Sequence, residues 1–227
     1  MAQTIGGRFE RNIGAVTRAE QELLQTRRAA VVGCGWLGCY AAEFLARLGL
    51  GHLTLIDGDV YAATNLNRQL NSLEANLGKS KALETGKRLL EIRADLSVKA
   101  AGVFLTDENA GELLKGHDVI IDALDNVKTR LLLEKIADGL GIPLVHGAVK
   151  EWNAQVCVVF PGDHTLAMLY PKDLEFERPS VLSFTPAFCA ALQASEAAKV
   201  LLNKGNILRK KLLNVDLKEN TYDIIGL

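Results

Sequence analysis

Gly33-x-Gly35-x-x-Gly38 constrains this chain more than any other stretch. An apolar run with β-branched residues, Ala29 to Val32, leads into it and reads as a buried strand. Leu37 to Leu48 is rich in helix formers and follows it. A second apolar run, Leu53 to Ile56, ends at Asp57, 24 residues after Gly33. Strand, glycine turn, helix, strand and acid are the parts of a mononucleotide-binding βαβ unit. The first glycine makes the tight turn, the second lets backbone approach phosphate, and the third lets helix and strand pack closely. Free N–H groups at the helix start attract phosphate oxygens. Asp57 is placed to accept hydrogen bonds from ribose hydroxyls.

At 227 residues the chain has room for one domain with a full core. Its net charge of −1 gives no electrostatic basis for holding nucleic acid or an anionic membrane. No apolar run approaches the length of a transmembrane helix, and the first residues lack a signal-peptide core. A cytoplasmic location is expected. Cys34, Cys39, Cys157 and Cys189 form no C-x-x-C pair, so no zinc site is expected.

The pattern along the chain alternates. Residues 1 to 27 form an arm followed by a short helix, which opens on a capping box at Thr17 and Glu20. Residues 58 to 78 make a long polar connection with Asp59, Asn65, Asn67, Arg68 and Gln69; a connection this long at a strand's C-terminal end is usually functional. A helix is expected over 79–93, with Lys79 and Lys81 in its first turn. Strand 97–105, helix 109–115, strand 118–122, helix 127–140 and strand 143–146, closed by Gly147, follow. Asp122 and Asp125 cluster at the end of a strand, where either could cap a helix or hold a metal. Strand 154–160 is expected to run antiparallel. Residues 161–185 read as a crossover loop, 186–203 as a helix, and 208–217 with 221–225 as a terminal hairpin. The expected fold is α/β, a doubly wound, mainly parallel Rossmann-like sheet with antiparallel strands at the C-terminal end.

Several segments together resemble the ThiF/MoeB/HesA adenylyltransferases, bacterial relatives of ubiquitin-activating enzymes. They are R-F-E-R-N-I at 8–13, G-C-G-W-L-G at 33–38, T-L-I-D-G-D at 54–59, T-N-L-N-R-Q at 64–69, G-K-S-K at 78–81, D-A-L-D-N at 122–126 and A-L-Q-A-S-E-A-A-K at 191–199. The resemblance implies a single ATP-binding adenylyltransferase domain spanning 1–227. It implies that the C-terminal glycine of a small ubiquitin-fold sulfur carrier ending in Gly-Gly attacks the α-phosphate of ATP, giving an acyl-adenylate and pyrophosphate. Thiamine, molybdopterin or related sulfur-transfer biosynthesis would use the product.

The resemblance also implies roles. Arg68 and Lys81 would offset triphosphate charge, and Asp125 would hold magnesium. Asp57 would bind ribose with Asp59 beside it, and Asn65 would add a contact near the phosphates. Gly33, Gly35 and Gly38 would cradle the nucleotide. Arg11 would reach across a homodimer to the partner's phosphates, which makes Arg11, Arg68, Lys81 and Asp125 the candidate catalytic set; Arg8 stays at the surface. Trp36 stands where the family usually has glycine; its side chain could narrow the nucleotide site or point outward, and outward is the expectation. Cys157 and Cys189 are expected in the core, with no thioester on this chain, and His146 as a hydrogen-bonded structural residue. Two other readings share the βαβ unit: a non-catalytic module that binds nucleotide or a ubiquitin fold, and an NAD-dependent oxidoreductase. Within the family, activation of a small-molecule or RNA carboxylate is a further possibility, and the charge balance weighs against RNA.

Overall fold

The computed structural model describes residues 7–170 and 180–227. Alternating apolar and helix-forming segments fold as the pattern requires. A two-turn 3-10 helix at Gly7–Asn12 buries Phe9. Helix α1 (Arg18–Thr26) opens on the expected capping box at Thr17 and Glu20. The nucleotide-type unit follows as β1 (Arg28–Val32), α2 (Gly38–Leu48) and β2 (His52–Ile56). Next come α3 (Lys81–Ile92), β3 (Ser97–Ala101), α4 (Asp107–Leu114), β4 (Val119–Asp122) and α5 (Val127–Leu140). Strands β5 (Leu144–Lys150) and β6 (Asn153–Val159), helices α6 (Thr165–Leu169) and α7 (Phe184–Leu202), and strands β7 (Lys211–Asp216) and β8 (Thr221–Gly226) complete the described chain.

The sheet runs in the order β3-β2-β1-β4-β5-β6-β7-β8. Pairings from β3 to β5 are parallel and those from β5 to β8 antiparallel. Strand alternation divides the core. Ala29 and Val31 join one apolar cluster with Leu45, Ala190 and Ala197, while Ala30 and Val32 join the other with Leu114, Leu133 and Leu166. Helices α2 and α7 therefore cover one face, and α4, α5 and α6 the other. Register aligns Val32 with Ile56 on one side and Asp122 on the other. The segments after β1, β2 and β4 consequently emerge side by side, and the order reverses between β1 and β4. Open α/β sheets bind ligands at such a switch point.

The structure departs from the sequence expectations in several places. Lys79 lies before α3, because Ser80 rather than a residue further back takes the N-cap. Strand β3 stops at Ala101, and Val103 to Leu105 turn into a cleft instead of extending the sheet. Gly147 does not close a strand. It lies within β5, where a Cβ would come 2.5 Å from the Gln193 side chain of α7, so only glycine allows that approach. Neither Asp122 nor Asp125 caps α5; Asn126 does, accepting from the Thr129 amide. The crossover stretch carries α6, and its residues 171–179 lie outside the described residues. Helix α7 begins two residues before Pro186, which sits in the first turn where its missing N–H costs nothing.

Candidate functional site

At the switch point lies a cleft of about 260 Å³, open to solvent. The glycine loop forms its floor, and the three glycines there differ. Gly33 has φ +92°, and a Cβ on it would lie 2.5 Å from the Ala123 carbonyl oxygen. A Cβ on Gly38 would lie 1.7 Å from the Gly33 carbonyl oxygen. Gly35 faces the cleft, where a Cβ would meet only the Gln69 side chain at 3.6 Å. Gly33 and Gly38 thus serve the close passage of loop, β4 and helix, and Gly35 leaves the ligand side open. Asp57 pins the same loop. Its carboxylate accepts from the Cys34 amide at 2.7 Å and from the Asp59 amide at 2.7 Å. Burial raises its pKa, while those two amides and Lys81 favour the charged form. Each oxygen keeps a lone pair toward the cleft for a hydroxyl donor.

Positive charge converges on the opposite wall. Lys81, almost fully buried at the first position of α3, donates to Asp59 at 3.1 Å. A lysine at a helix N-terminus is disfavoured by the dipole by only a fraction of a kcal/mol, which the Asp59 carboxylate offsets. Arg68 donates to the Thr64 carbonyl at 2.7 Å and to Asn67 at 2.6 Å. Its guanidinium lies 4.7 Å from the centre of the Trp36 ring. Burial lowers the Arg68 pKa, with the Asp125 charge opposing it. The Nε atom of Arg68 is buried with no hydrogen-bond partner. An orphaned guanidinium donor in a cleft fits a phosphate ligand. Trp36 therefore does not point outward as expected; half-buried, it lines the cleft and carries Arg68 on its face. Asn65 also lines the cleft, but its side chain accepts from the Ala62 amide at 2.9 Å and so shapes the loop that presents Arg68.

Asp125 lines the cleft and is exposed. Among the described residues, no group of three or more His, Cys, Asp or Glu side chains could hold a metal ion. One carboxylate with phosphate oxygens and water is how magnesium is usually held, so Asp125 fits that ion only together with a nucleotide. Val103 and Phe104 form an apolar lip that sequence reading missed, since the stretch resembled more strand. Behind the cleft, Asp122 and His146 are fully buried. His146 Nδ1 lies 2.6 Å from Asp122 Oδ2, and its Nε2 lies 3.0 Å from the Tyr170 hydroxyl. Burial lowers the His146 pKa, so the ring is neutral and structural, as expected.

Arg11 is exposed and does not line this cleft, and Arg8 pairs with Asp95 at 2.9 Å on the surface. Cys157 and Cys189 are buried, and burial pushes each thiol up to about 12. Neither is poised as a nucleophile. Among the described residues, no helix is long and apolar enough to cross a membrane.

Comparison with known proteins agrees with the geometry. The model of the ThiF family matches residues 9–227. The chain is 33% identical over 211 residues to the SAMP-activating enzyme E1 of Haloferax volcanii, covering 90% of this chain and 78% of that protein. It is 35% identical over 214 residues to the sulfur carrier protein adenylyltransferase of Thermus thermophilus, covering 89% and 79%. The crystal structure of E. coli MccB with ATP matches at a TM-score of 0.84 and 21% identity, covering 99% of this chain and 72% of that one. That last likeness is one of fold.

Proposed function

Because the chain belongs to the ThiF family, we propose that it adenylates the C-terminal glycine of a small ubiquitin-fold sulfur carrier ending in Gly-Gly. Relatives about one-third identical are named SAMP-activating enzyme E1 and sulfur carrier protein adenylyltransferase. The observation that carries the reading is the meeting of Arg68, Lys81 and Asp125 on one cleft at the sheet's switch point. NAD, whose diphosphate is bound without a metal, would give the Asp125 carboxylate no role there.

In this reaction a carrier carboxylate oxygen bonds to the α-phosphorus of ATP. The bond from that phosphorus to the bridging oxygen breaks, and pyrophosphate leaves with the electron pair. Negative charge accumulates on the leaving oxygens, and Arg68 and Lys81 are the fixed cations that offset it. Asp57 orients the ribose, and the backbone at Gly35 lies against the phosphates. Magnesium, when bound, neutralises triphosphate oxygens, and Asp125 is the residue that would hold it. Arg11 does not line the cleft of its own chain; following the family resemblance, we assign it to the partner's cleft in a homodimer. Four buried free thiols suit a reducing compartment, and we place the reaction in the cytoplasm, serving thiamine, molybdopterin or related sulfur transfer.

ATP–pyrophosphate exchange with Gly-Gly carriers tests this. Exchange is expected in the wild type, and a loss of about 10²-fold or more is expected in Arg68→Ala and Asp125→Ala with circular dichroism unchanged. Tight Mg-ATP binding without exchange on any carrier would favour the non-catalytic reading. Preference for NAD over Mg-ATP would overturn adenylation.

A further inference from the structure

Asp122, Arg130, His146 and Tyr170 form a buried polar cluster directly behind the cleft. Its hydrogens can be assigned from chemistry. Arg130 only donates, and its Nη1 reaches the Tyr170 hydroxyl oxygen at 3.0 Å. His146 is neutral and gives its Nδ1 proton to Asp122, so Nε2 is left as an acceptor for the tyrosine proton. The chain of donors therefore runs in one direction, from Arg130 through Tyr170 and His146 to Asp122. Arg130 Nε also lies 3.8 Å from Asp122 Oδ2, so the buried charges are paired.

Both polar groups of one cleft residue are held by this cluster. Asp122 Oδ1 accepts from the Leu124 amide at 3.0 Å, and Arg130 Nη2 donates to the Leu124 carbonyl at 2.5 Å. Leu124 immediately precedes Asp125. On the other side Asn126 is fixed as the N-cap of α5. The backbone on both sides of Asp125 is thereby clamped. Tyr170 itself follows α6 as its C-cap, and the Leu166 and Ala167 amides in the first turn of α6 donate to Glu134 of α5 at 2.7 and 3.0 Å. Burying an arginine and an aspartate gains little stability over apolar packing, because desolvation cancels most of the attraction. What such a cluster does provide is position.

We infer that Tyr170, His146, Arg130 and Asp122 are positioning residues that aim the Asp125 carboxylate, with the Tyr170 hydroxyl as the remote member. The inference rests on the reading of Asp125 as the residue that meets the metal–nucleotide complex. Nothing in the D-A-L-D-N segment points to Tyr170, which lies 40 residues beyond Arg130.

The test uses the full chain and calorimetric binding of the non-hydrolysable α,β-methylene analogue of ATP, with magnesium and with EDTA. Tyr170→Phe keeps the ring under Arg130 and removes only the hydroxyl. The variant is expected to weaken binding with magnesium about tenfold, to leave binding in EDTA unchanged, and to add no further loss in an Asp125→Asn background. Unchanged magnesium dependence, equal losses with and without magnesium, or full additivity with Asp125→Asn would each overturn the inference. If Tyr170→Phe is too unstable to assay, His146→Asn retains a donor toward Asp122, removes the acceptor for the tyrosine, and carries the same expectations. Asp125→Asn alone separates the two levels. If it binds magnesium–nucleotide like the wild type, the role of Asp125 is wrong; if it is weakened and Tyr170→Phe is not, only the positioning role falls.

Discussion

Single atoms divide the glycine motif into two kinds of residue. A methyl at Gly38 would overlap the Gly33 carbonyl, and both groups are backbone held by helix and strand. Gly38→Ala is therefore expected to cost about 1–3 kcal/mol or more, read as a fall of several degrees in the thermal midpoint. Gly35→Ala meets only a flexible glutamine, so the midpoint should stay put while the dissociation constant for ATP rises. Equal thermal losses in the two variants would show that both glycines serve packing. The glycines and Asp57 were legible in the sequence because their spacing encodes the turn and the strand ends. Trp36 was not: its direction is set by Arg68, a partner 32 positions away on a connection with no periodicity of its own. The roles of Arg130 and Tyr170 were hidden for the same reason, since their hydrogen bonds join separate elements.

Elements were legible wherever a local pattern and the tertiary environment agreed. The buried strands β1, β2 and β4 read as short apolar runs, and α1 and its capping box followed from Thr17 and Glu20 alone. Element ends were misread where a distant neighbour decides them. Pairing with β6 carries β5 past Gly147 to Lys150, and α7 leaves room only for glycine there. Helix α6, only five residues long, has too few positions for a periodic signal, and its start is held by Glu134 from α5. A comparable tie joins the end of β6 to the approach to β7. Asp163 accepts from Arg209 at 2.8 and 2.9 Å and from the Phe160 amide at 3.1 Å. The arginine bond holds the Asp163 pKa below its ordinary 3.8. A carboxylate with a depressed pKa adds stability above that value and loses it as pH falls toward the folded pKa. Asp163→Asn should therefore cost about 1 kcal/mol near neutral pH, allowing for the half-exposed arginine, with the difference from wild type shrinking below pH 3.8. Thermal melts across pH read both; a difference that does not change with pH would remove the ion pair from the account.

For the whole molecule, the cleft draws on the ends of three parallel strands, while Arg11 sits outside it. If a second copy supplies that arginine, Arg11→Ala and Asp125→Ala should each be inactive alone. Co-refolded in equal amounts, they should recover about a quarter of wild-type exchange, because half the dimers are mixed and each mixed dimer has one intact site. No recovery would show that Arg11 does not serve the partner's cleft. The sheet has a further consequence at its last strand. All six residues of β8 are exposed, Tyr222, Ile224 and Ile225 among them, and β8 ends the described sheet order with pairing only to β7. An unpaired ladder bearing large apolar side chains is a seam along which copies can zip together at high concentration. The colloidal limit of this protein should therefore be set by β8 rather than by its net charge. Ile224→Lys should raise the concentration at which light scattering begins and leave ATP binding as it was.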